Sequence, residues 1–383
     1  MLTITCIAAL LTIASACGLP SGVEKREVTK TAIQNVHVWN GNSFSPSLST
    51  VVFINGKLSN APSLGATVVN GNGGYLLPGL IDAHTHITDC AYLDAMRRYG
   101  VTTALDMGTF PVSSIDACRA SGVTDIRTSG AAATVNGTLI SQLPGFPADS
   151  LIPNPAAGRR FVRNRIAQGA DYIKVFLDPL GPDEATLAAV VQAAHAAGKL
   201  VVTHATTYAD YSTAEAAKAD FPTHVPLDKA IDDPSIAKLL SNGQVSIPTL
   251  IMMQSIVNNT GAPPVAYTLN AQGSVTNMYN AGVPILVGTD ANANPYVPAN
   301  PPFGSSFHDE LKLLVQAGVS PVDAIRGATS LAANKFRLYD RGSIQAGLRA
   351  DLVLLSADPT VDIGNSLAIE KVWVDGVEFD PSA

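Results

Sequence analysis

The sequence predicts an α/β fold: a (β/α)8 barrel joined to a small β-sandwich that both ends of the chain build. Three observations support this. In the middle of the 383-residue chain, short apolar segments alternate with Ala-rich helical ones, as in a parallel sheet covered by helices. Eight such segments occur over ~260 residues, which fits a barrel in number and length. Strand-like segments with turn residues occupy both ends.

The composition narrows the class of protein. Hydrophobic residues make up 46% of the chain and charged residues 14%, against about 25% charged in an average protein. This excludes an intrinsically disordered protein, which combines low hydrophobicity with high net charge. The net charge of -7 and the lack of a basic cluster argue against nucleic-acid binding. With 31 Gly and 25 Pro spread along the chain, the composition favours a turn-rich globular enzyme.

The N-terminal apolar stretch predicts secretion. Residues 1–17 are too few for a membrane span, which needs ~20 residues, and Ala14-Ser15-Ala16 resembles a signal-peptidase site. We therefore expect a cleaved signal peptide and an extracellular protein. Residues 18–30 form a pro-segment or linker, in which Lys25-Arg26 is either a dibasic processing site or a pair of solvated charges. A lipoprotein anchored through Cys17 is a minor alternative, because Ala14 stands where Leu is usual.

The predicted sandwich combines residues 31–78 with residues 342–383. The first part contains AIQNVHVWNG, TVVFING and ATVVNGNGGYLL, which alternate apolar and polar residues between turns. The second part contains ADLVLLSAD and EKVWVDGVEF, the latter around an Asp375-Gly376 turn. Similar patterns at the two ends suggest that the termini meet in one β domain.

The predicted barrel comprises residues 79–341. Helices such as Glu184–Ala197 and Phe307–Ala317 fall between or after its strands. The candidate strands are Leu80–His84, Val101–Met107, Asp125–Ser129, Tyr172–Leu177, Leu200–His204, Phe221–His224, Gln244–Leu250 and Pro284–Thr289.

Two cysteines remain once the signal region, with Cys6 and Cys17, is set aside. An oxidising compartment would permit a bridge between Cys90 and Cys118. Cys90 begins one predicted helix, however, and Cys118 lies near the end of the next. Those ends of barrel helices lie on opposite faces, so we expect two free thiols.

Polar side chains interrupt the carboxyl ends of several predicted strands. These ends converge on one face of a barrel, so residues distant in sequence would share one cavity. Period-two alternation places His84 and His86 on the same side of their strand. Histidine and carboxylate groups around a cation suit zinc or a similar divalent metal. The residues concerned are His84, His86, Lys174, His204, His224 and Asp290.

These motifs resemble those of the amidohydrolase superfamily. LLPGLIDAHTHI is similar to its opening H-x-H, YIKVFLD to its fourth-strand lysine, VVTHAT to its fifth-strand histidine and ILVGTDAN to its eighth-strand aspartate. The tail GSIQAGLRADLVLLSADP resembles the return to the sandwich. The resemblance extends from about Ile33 to Phe379. The subgroup that looks closest is the imidazolonepropionase-like one, which includes Xaa-Pro dipeptidases and ochratoxin amidohydrolases.

The resemblance implies a binuclear metal centre, with zinc as the expected ion. Lys174 lies in the apolar run YIKVF, where an unpaired ammonium is costly to bury. As a free amine it can react with carbon dioxide to give N6-carboxylysine, whose carbamate bridges two ions; a snorkelling or salt-bridged lysine is the alternative. His224 departs from the family pattern, because Phe221-Pro222-Thr223 replaces a Gly-rich lead-in and Glu. The first ion is assigned to His84, His86, Lys174 and Asp290, and the second to Lys174, His204 and His224.

The implied reaction is hydrolysis of an amide or peptide-like C–N bond by a hydroxide held between the two ions. Asp290 is the expected catalytic residue, which takes the proton and passes it to the leaving nitrogen. A lactonase or phosphotriesterase would use the same centre. A mononuclear deaminase is disfavoured because Thr207 replaces the acid of its H-x-x-E motif and because Lys174 is present. A non-catalytic binding module would require a lost ligand, and none is lost.

The substrate is expected to be a small amide or dipeptide-like molecule. His308 and Tyr208 are candidate substrate contacts, although helix capping or packing would account for them equally well. The loops Gly108–Pro111, Gly130–Pro155 and Ala291–Ser306 carry few charges, which favours an apolar or aromatic acyl partner. The resemblance is compatible with a homo-oligomer. The charge and the length of the apolar stretch predict no nucleic-acid partner and no membrane span.

Overall fold

The computed structural model describes residues 29–119, 122–177 and 180–381. The predicted signal peptide, Lys25-Arg26 and all but the last two residues of the predicted pro-segment lie outside the described residues. No helix in the described ranges is long and apolar enough to cross a membrane.

The N-terminal part forms five strands of a β layer. The first strand is irregular: its register with the second strand shifts between Ile33 and Val36, where Asn35 adopts a left-handed φ of 58°. Asn tolerates this conformation better than most residues. The strands are β1 (Lys30–Val38), β2 (Ser49–Ile54), β3 (Lys57–Ser59), β4 (Thr67–Asn70) and β5 (Tyr75–Pro78).

Six parallel strands follow, in two three-stranded sheets of order β6-β7-β8 and β11-β10-β9. β6 and β7 are buried at every position, as expected for a parallel sheet covered on both faces. The strands are β6 (Leu80–Thr85), β7 (Val101–Asp106), β8 (Asp125–Thr128), β9 (Ile173–Phe176), β10 (Val201–His204) and β11 (Phe221–Thr223).

Eleven α-helices are assigned in the described part of the chain. The helix predicted over Glu184–Ala197 is confirmed, and the one predicted over Phe307–Ala317 begins two residues earlier. The helices are α1 (Ala91–Arg98), α2 (Val112–Asp116), α3 (Pro155–Ala167), α4 (Glu184–Ala196), α5 (Tyr208–Ala216), α6 (Asp233–Asn242), α7 (Leu250–Thr260), α8 (Gln272–Asn280), α9 (Ser305–Gln316), α10 (Pro321–Gly327) and α11 (Ser330–Lys335), with 3-10 turns at Ile140–Gln142, Ala148–Ser150 and Ile363–Leu367 and a π-helical turn at Ala266–Ala271.

The two remaining predicted strands, Gln244–Leu250 and Pro284–Thr289, are not regular strands. They make isolated parallel bridges, Thr223 with Ile247 and Ser246 with Ile285. Pro248 and Pro284 lack the N–H that a ladder needs, and Leu250 already begins α7. The backbone pairing nevertheless continues back to β6. The N–H of Ser246 donates to Pro284 O (3.0 Å), that of Leu286 to Ser246 O (2.9 Å) and that of Ala83 to Val287 O (2.9 Å).

The C-terminal strands complete the β layer begun by β1–β5. They are β12 (Leu352–Leu355), β13 (Ile369–Val374) and β14 (Val377–Phe379), and the sheet order is β14-β13-β12-β5-β1-β2-β3, with β4 beside β1. β12 pairs antiparallel with β5. Trp373 is fully buried and its ring lies 6.4 Å from that of Phe53. Both chain ends therefore contribute to one layer and its core.

The prediction of two free thiols is wrong, because Cys90 and Cys118 form a disulfide with a Cα–Cα distance of 5.1 Å. The prediction assumed a second helix long enough to cross the barrel. α2 has only five residues, so it advances roughly 7.5 Å at 1.5 Å per residue, and Cys118 follows it by two positions. Cys90 directly precedes α1. Both cysteines thus stay on the same side of the fold.

Candidate metal centre

His84 and His86 stand at the carboxyl end of β6 and converge on Asp290. The Nε2 atoms of His84 and His86 lie 3.3 Å and 2.9 Å from Asp290 Oδ1. The donor atoms of these three residues lie within 4.8 Å of one another. His84 is fully buried, whereas the His86 side chain is 31% exposed, so the cluster opens to solvent on the His86 side. This group is one that could hold a metal ion.

The backbone around Asp290 brings its carboxylate to the histidines. Asp290 has a left-handed φ of 57°, which is uncommon for a residue with a side chain, and its N–H donates to His84 O at 2.8 Å. Asp82 ties the two segments together: its carboxylate accepts from His84 N at 3.2 Å, from Thr289 N at 3.0 Å and from Thr289 Oγ1 at 2.7 Å. Asp82 therefore positions both ligand-bearing segments.

Asp82 was not assigned a role from the sequence, although an acid inside the apolar β6 was a usable signal. Burial raises its pKa to about 7, although the hydrogen bonds from Thr289 act to lower it.

Asp106, at the end of β7, has a similar supporting role. It accepts from Ile87 N at 2.9 Å and from the hydroxyls of Thr109 at 2.7 Å and Thr128 at 2.5 Å. It thereby holds the loop that follows His86.

Lys174 lies in β9, 1% exposed, with its ammonium nitrogen directed at the histidines. Its Nζ is 3.4 Å from His84 Nε2 and 3.3 Å from Thr223 Oγ1. Among the described residues, no carboxylate comes within the 4.0 Å of a salt bridge. Burial lowers the pKa of Lys174 to about 7. Lys174 is therefore neither a snorkelling nor a salt-bridged lysine. Because its pKa is about 7, part of the Lys174 side chains are free amines at neutral pH.

His204 and His224 complete the cluster from the ends of β10 and β11. Their ring centroids are 4.3 Å apart, and that of His224 is 4.9 Å from His84. His204 stacks on Phe176 at 3.6 Å. His224 is buried with a left-handed φ of 68°. The structure thus brings all six predicted ligand residues to one place.

The electrostatics of the cluster suit a cation. Burial lowers the pKa values of His84, His204 and His224 well below the usual value for histidine, so their nitrogens carry free lone pairs. Burial acts to raise the pKa of Asp290, but the short contact with His86 and the charges of nearby basic groups hold it below its usual value. One negative charge therefore stands beside histidine nitrogens that have free lone pairs.

Three buried polar atoms of the cluster make no hydrogen bond: His84 Nδ1, His224 Nε2 and Asp290 Oδ1, whose contacts are the ion-pair distances to His84 and His86 given above. Such atoms are rare in folded proteins, where buried polar groups are normally paired. Imidazole nitrogens and carboxylate oxygens are ligands that zinc and related divalent ions accept. The residues present therefore fit the implied metal ions.

Thr249 and Glu310 support His224, and neither was assigned a role from the sequence. The Thr249 hydroxyl lies 2.7 Å from His224 Nδ1, and Thr249 has a left-handed φ of 49°. Glu310 on α9 is fully buried and accepts from Leu250 N at 2.9 Å and Ile251 N at 2.7 Å, the first residues of α7. Burial raises the pKa of Glu310 to about 8. No local pattern marks either residue, because the contacts join three distant segments.

The two candidate substrate contacts have partners of their own. His308 is fully buried, with Nδ1 2.9 Å from Ser366 Oγ and Nε2 2.9 Å from Tyr99 O. Burial lowers its pKa to about 4. This placement favours packing over substrate contact for His308. Tyr208 follows β10 on the side of the cluster, and its hydroxyl donates to Asp232 at 2.7 Å.

Comparison with known proteins identifies the family. The Amidohydrolase family profile matches residues 75–378. The chain belongs to the amidohydrolase family. An imidazolonepropionase from Idiomarina loihiensis is 24% identical over 401 residues, which cover 87% of this chain and 92% of that protein. The predicted resemblance is thus confirmed, as is a hydrolase of the amidohydrolase type that acts on carbon–nitrogen bonds.

Solved structures show the same fold. A Xaa-Pro dipeptidase with bound methionine has a TM-score of 0.78 at 21% identity, covering 92% of this amidohydrolase and 100% of that chain. The A. niger ochratoxinase has a TM-score of 0.75 at 18% identity, covering 92% and 96%. At these identities the likeness shows the fold alone.

Proposed function

We propose that this amidohydrolase cleaves an amide or peptide-like C–N bond of a small molecule with the help of two divalent metal ions. The observation that carries the proposal is the convergence of six residues from five separate segments on one cluster that contains buried polar atoms without hydrogen bonds. Zinc is the ion that the donor set suits best. When bound, the ions would supply Lewis-acid activation of the substrate carbonyl and of a water molecule.

The proposed ligand assignment is the one that the family resemblance implies. His84, His86, Asp290 and Lys174 would hold the first ion, and Lys174, His204 and His224 would hold the second. The free amine of Lys174 adds to carbon dioxide and releases one proton, which gives an anionic carbamate. Since Lys174 lies next to His84, this anion adds a second negative charge to that of Asp290 in the cluster.

Asp290 is the residue placed to move a proton. Its pKa lies below the usual value, so the carboxylate is ionised before the reaction and can accept a proton at an Oδ atom. The proton then passes to the leaving nitrogen as the C–N bond breaks. His86, the exposed member of the cluster, lies at the entrance, and Asp82 keeps Asp290 and His84 in register.

The same proposal extends to architecture. The pairing of β6–β11 with the two irregular segments is best interpreted as a (β/α)8 barrel over residues 79–341. The layer built by β1–β5 and β12–β14 is interpreted as the composite sandwich of residues 31–78 and 342–383. In both, the pairing of backbone groups supports the interpretation.

Secretion is proposed from two features. Residues 1–17 have the pattern of a signal peptide, and the Cys90–Cys118 disulfide is of a kind that persists in oxidising compartments.

The test combines metal analysis with a hydrolysis screen. Purified protein is stripped with a chelator, reloaded with zinc in bicarbonate buffer, and offered N-acyl amides, dipeptides and lactones. We expect about two zinc ions per chain and hydrolysis that the chelator abolishes. His195→Asn is the matched control, because His195 pairs with Asp220 outside the cluster. Far less than one ion per chain, or hydrolysis that survives the chelator, would contradict the proposal.

A further inference from the structure

The segments that follow the carboxyl ends of the barrel strands contain almost no positive charge. A single Lys or Arg, Lys229, occurs in these segments. In the barrel proposed above, they would border the face on which His86 opens to solvent and a substrate would enter. The segments are residues 86–90, 107–111, 129–154, 177, 180–183, 205–207, 225–232, 249 and 290–304.

Lys229 is already engaged. Its Nζ lies 2.7 Å from Asp232 Oδ2 and 3.8 Å from the ring centroid of Tyr208. The Tyr208 hydroxyl donates to the other oxygen of Asp232 at 2.7 Å, and the Tyr208 N–H donates to Asp228 at 2.8 Å. The Lys229 side chain is 54% exposed, and its ammonium group is paired with Asp232 and lies over the Tyr208 ring.

Arg165 is a second cation next to these segments. It extends from α3, is 2% exposed and pairs with Asp149. The acids outnumber these two cations. Besides the proposed ligand Asp290, the same segments carry five aspartates: Asp89, Asp149, Asp183, Asp228 and Asp232. The side chains of these segments therefore carry a net negative charge, which disfavours anions.

The same segments present aromatic and aliphatic side chains. Phe110 and Phe146 meet edge to face at 6.2 Å, and Tyr92 on α1 stacks on Phe303 at 4.1 Å. Leu139 and Tyr296 are 46% and 60% exposed. Aromatic side chains supply large contact area to apolar groups. The entrance therefore offers apolar contact without a partner for a carboxylate.

From this arrangement we infer that the amidohydrolase is selective for uncharged amides with an apolar or aromatic substituent, and that substrates with a free carboxylate, such as dipeptides and N-acyl amino acids, are disfavoured. The inference rests on the proposed function. A carboxylate is desolvated on binding, and without a cation or a donor set this cost is not offset. This selectivity would distinguish the chain from the Xaa-Pro dipeptidase whose fold it shares, because a dipeptide ends in a carboxylate.

The test uses two substrates that share the scissile bond and differ in charge. N-benzoyl-phenylalanine and its N-methylamide are hydrolysed with the zinc-loaded enzyme, and benzoate release is followed by chromatography. We expect kcat/KM to be ~100-fold higher for the neutral amide, the size of discrimination that an unmatched polar group produces. Equal rates, or a preference for the carboxylate, would overturn the inference.

Two variants sharpen the result. Lys229→Met leaves the ratio of the two kcat/KM values unchanged if the lysine is engaged as described; a selective loss of carboxylate hydrolysis would show that Lys229 receives the carboxylate and would overturn the inference. Tyr296→Arg adds a cation at the entrance, and we expect it to raise kcat/KM for the carboxylate substrate ~10-fold while the neutral amide changes little.

A binding measurement separates failure of this inference from failure of the proposed function. Calorimetry with metal-free protein compares the affinities of the two compounds without turnover. Stronger binding of the neutral amide together with no hydrolysis of either compound would contradict the proposed function alone. Equal binding, binding of neither, or stronger binding of the carboxylate would overturn the inference.

Discussion

Thr249 Oγ1 lies 2.7 Å from His224 Nδ1, and this contact orients the imidazole within the cluster. With Nδ1–H donating to the hydroxyl, the lone pair on Nε2 remains free, and Nε2 is the atom without a partner. Glu310 holds the start of α7 next to Thr249. Partners of this kind orient metal-binding histidines and fix their tautomer.

Thr249→Val should weaken metal binding. The change removes the hydroxyl acceptor while keeping a β-branched side chain, so His224 loses its orientation. We expect zinc affinity to fall about 10- to 100-fold, measured by competition with a chelating dye. Thr249→Ser keeps the hydroxyl and is the matched control. Undiminished zinc affinity in a folded Val variant would show that the contact does not orient His224.

Lys174→Ala should remove most bound metal and activity, because the variant lacks the amine that forms the carbamate. Acetate or propionate can occupy the space and supply a carboxylate, so partial rescue of both metal content and hydrolysis is expected. Lys199→Ala is the control, since Lys199 bonds to Ala170 O away from the cluster. Full metal content in the Lys174 variant without added acid would refute the bridge.

Replacing both Cys90 and Cys118 by Ala should lower stability. The disulfide closes a loop with a sequence separation of 28, and chain entropy predicts a loss of about 3.5 kcal/mol in the free energy of unfolding. Denaturant unfolding with and without a reductant measures it. The reductant should destabilise the wild type and leave the variant unaffected. An identical response of both proteins would mean that the bridge contributes nothing.

Glu215 should make stability depend on pH. It is buried on α5, bonded to the Ser235 hydroxyl, and burial raises its pKa from 4.5 to about 7. The folded state therefore keeps a proton that the unfolded state has released. This contribution is complete below about pH 4.5 and is lost as the pH rises through about 7, with a slope of at most about 1.4 kcal/mol per pH unit.

Glu215→Gln should flatten that dependence between pH 5 and 7, because the amide does not titrate. Urea unfolding at each pH compares the variant with the wild type, and Glu370→Gln, at an exposed position, is the control. A Glu215 variant whose stability changes with pH in parallel with the wild type would show that Glu215 is not protonated in the folded protein.

Much of the candidate site was predictable because polar residues stand out in apolar strands. His84, His86, Lys174 and Asp290 each interrupt such a run, and burying them unpaired would be costly. Their order along the chain, with His204 and His224 between, matches one family. The order indicates which strand ends they occupy, and the geometry of a parallel barrel brings those ends together.

Residues that act through distant contacts could not be predicted in the same way. Cys118 lies near Cys90 only because α2 stops after five residues, a length that local propensity does not set. The irregular course of Gln244–Leu250 and Pro284–Thr289 follows from prolines that remove ladder donors, yet their alternation still suggested strands. His308 looked like a pocket residue until its two nitrogens were placed against Ser366 and Tyr99.

The sequence by itself determined the family, the types of ligand and the order in which strands present them, since these depend on residue identity and local periodicity. Only the tertiary structure decided which buried groups meet: Asp82 with Thr289, Thr249 with His224 and Glu310 with the start of α7. It also decided that Lys229 is paired with Asp232 and lies over the Tyr208 ring. The physical reason is that hydrogen bonds and ion pairs depend on distances of a few ångströms between segments, which packing of the whole chain sets.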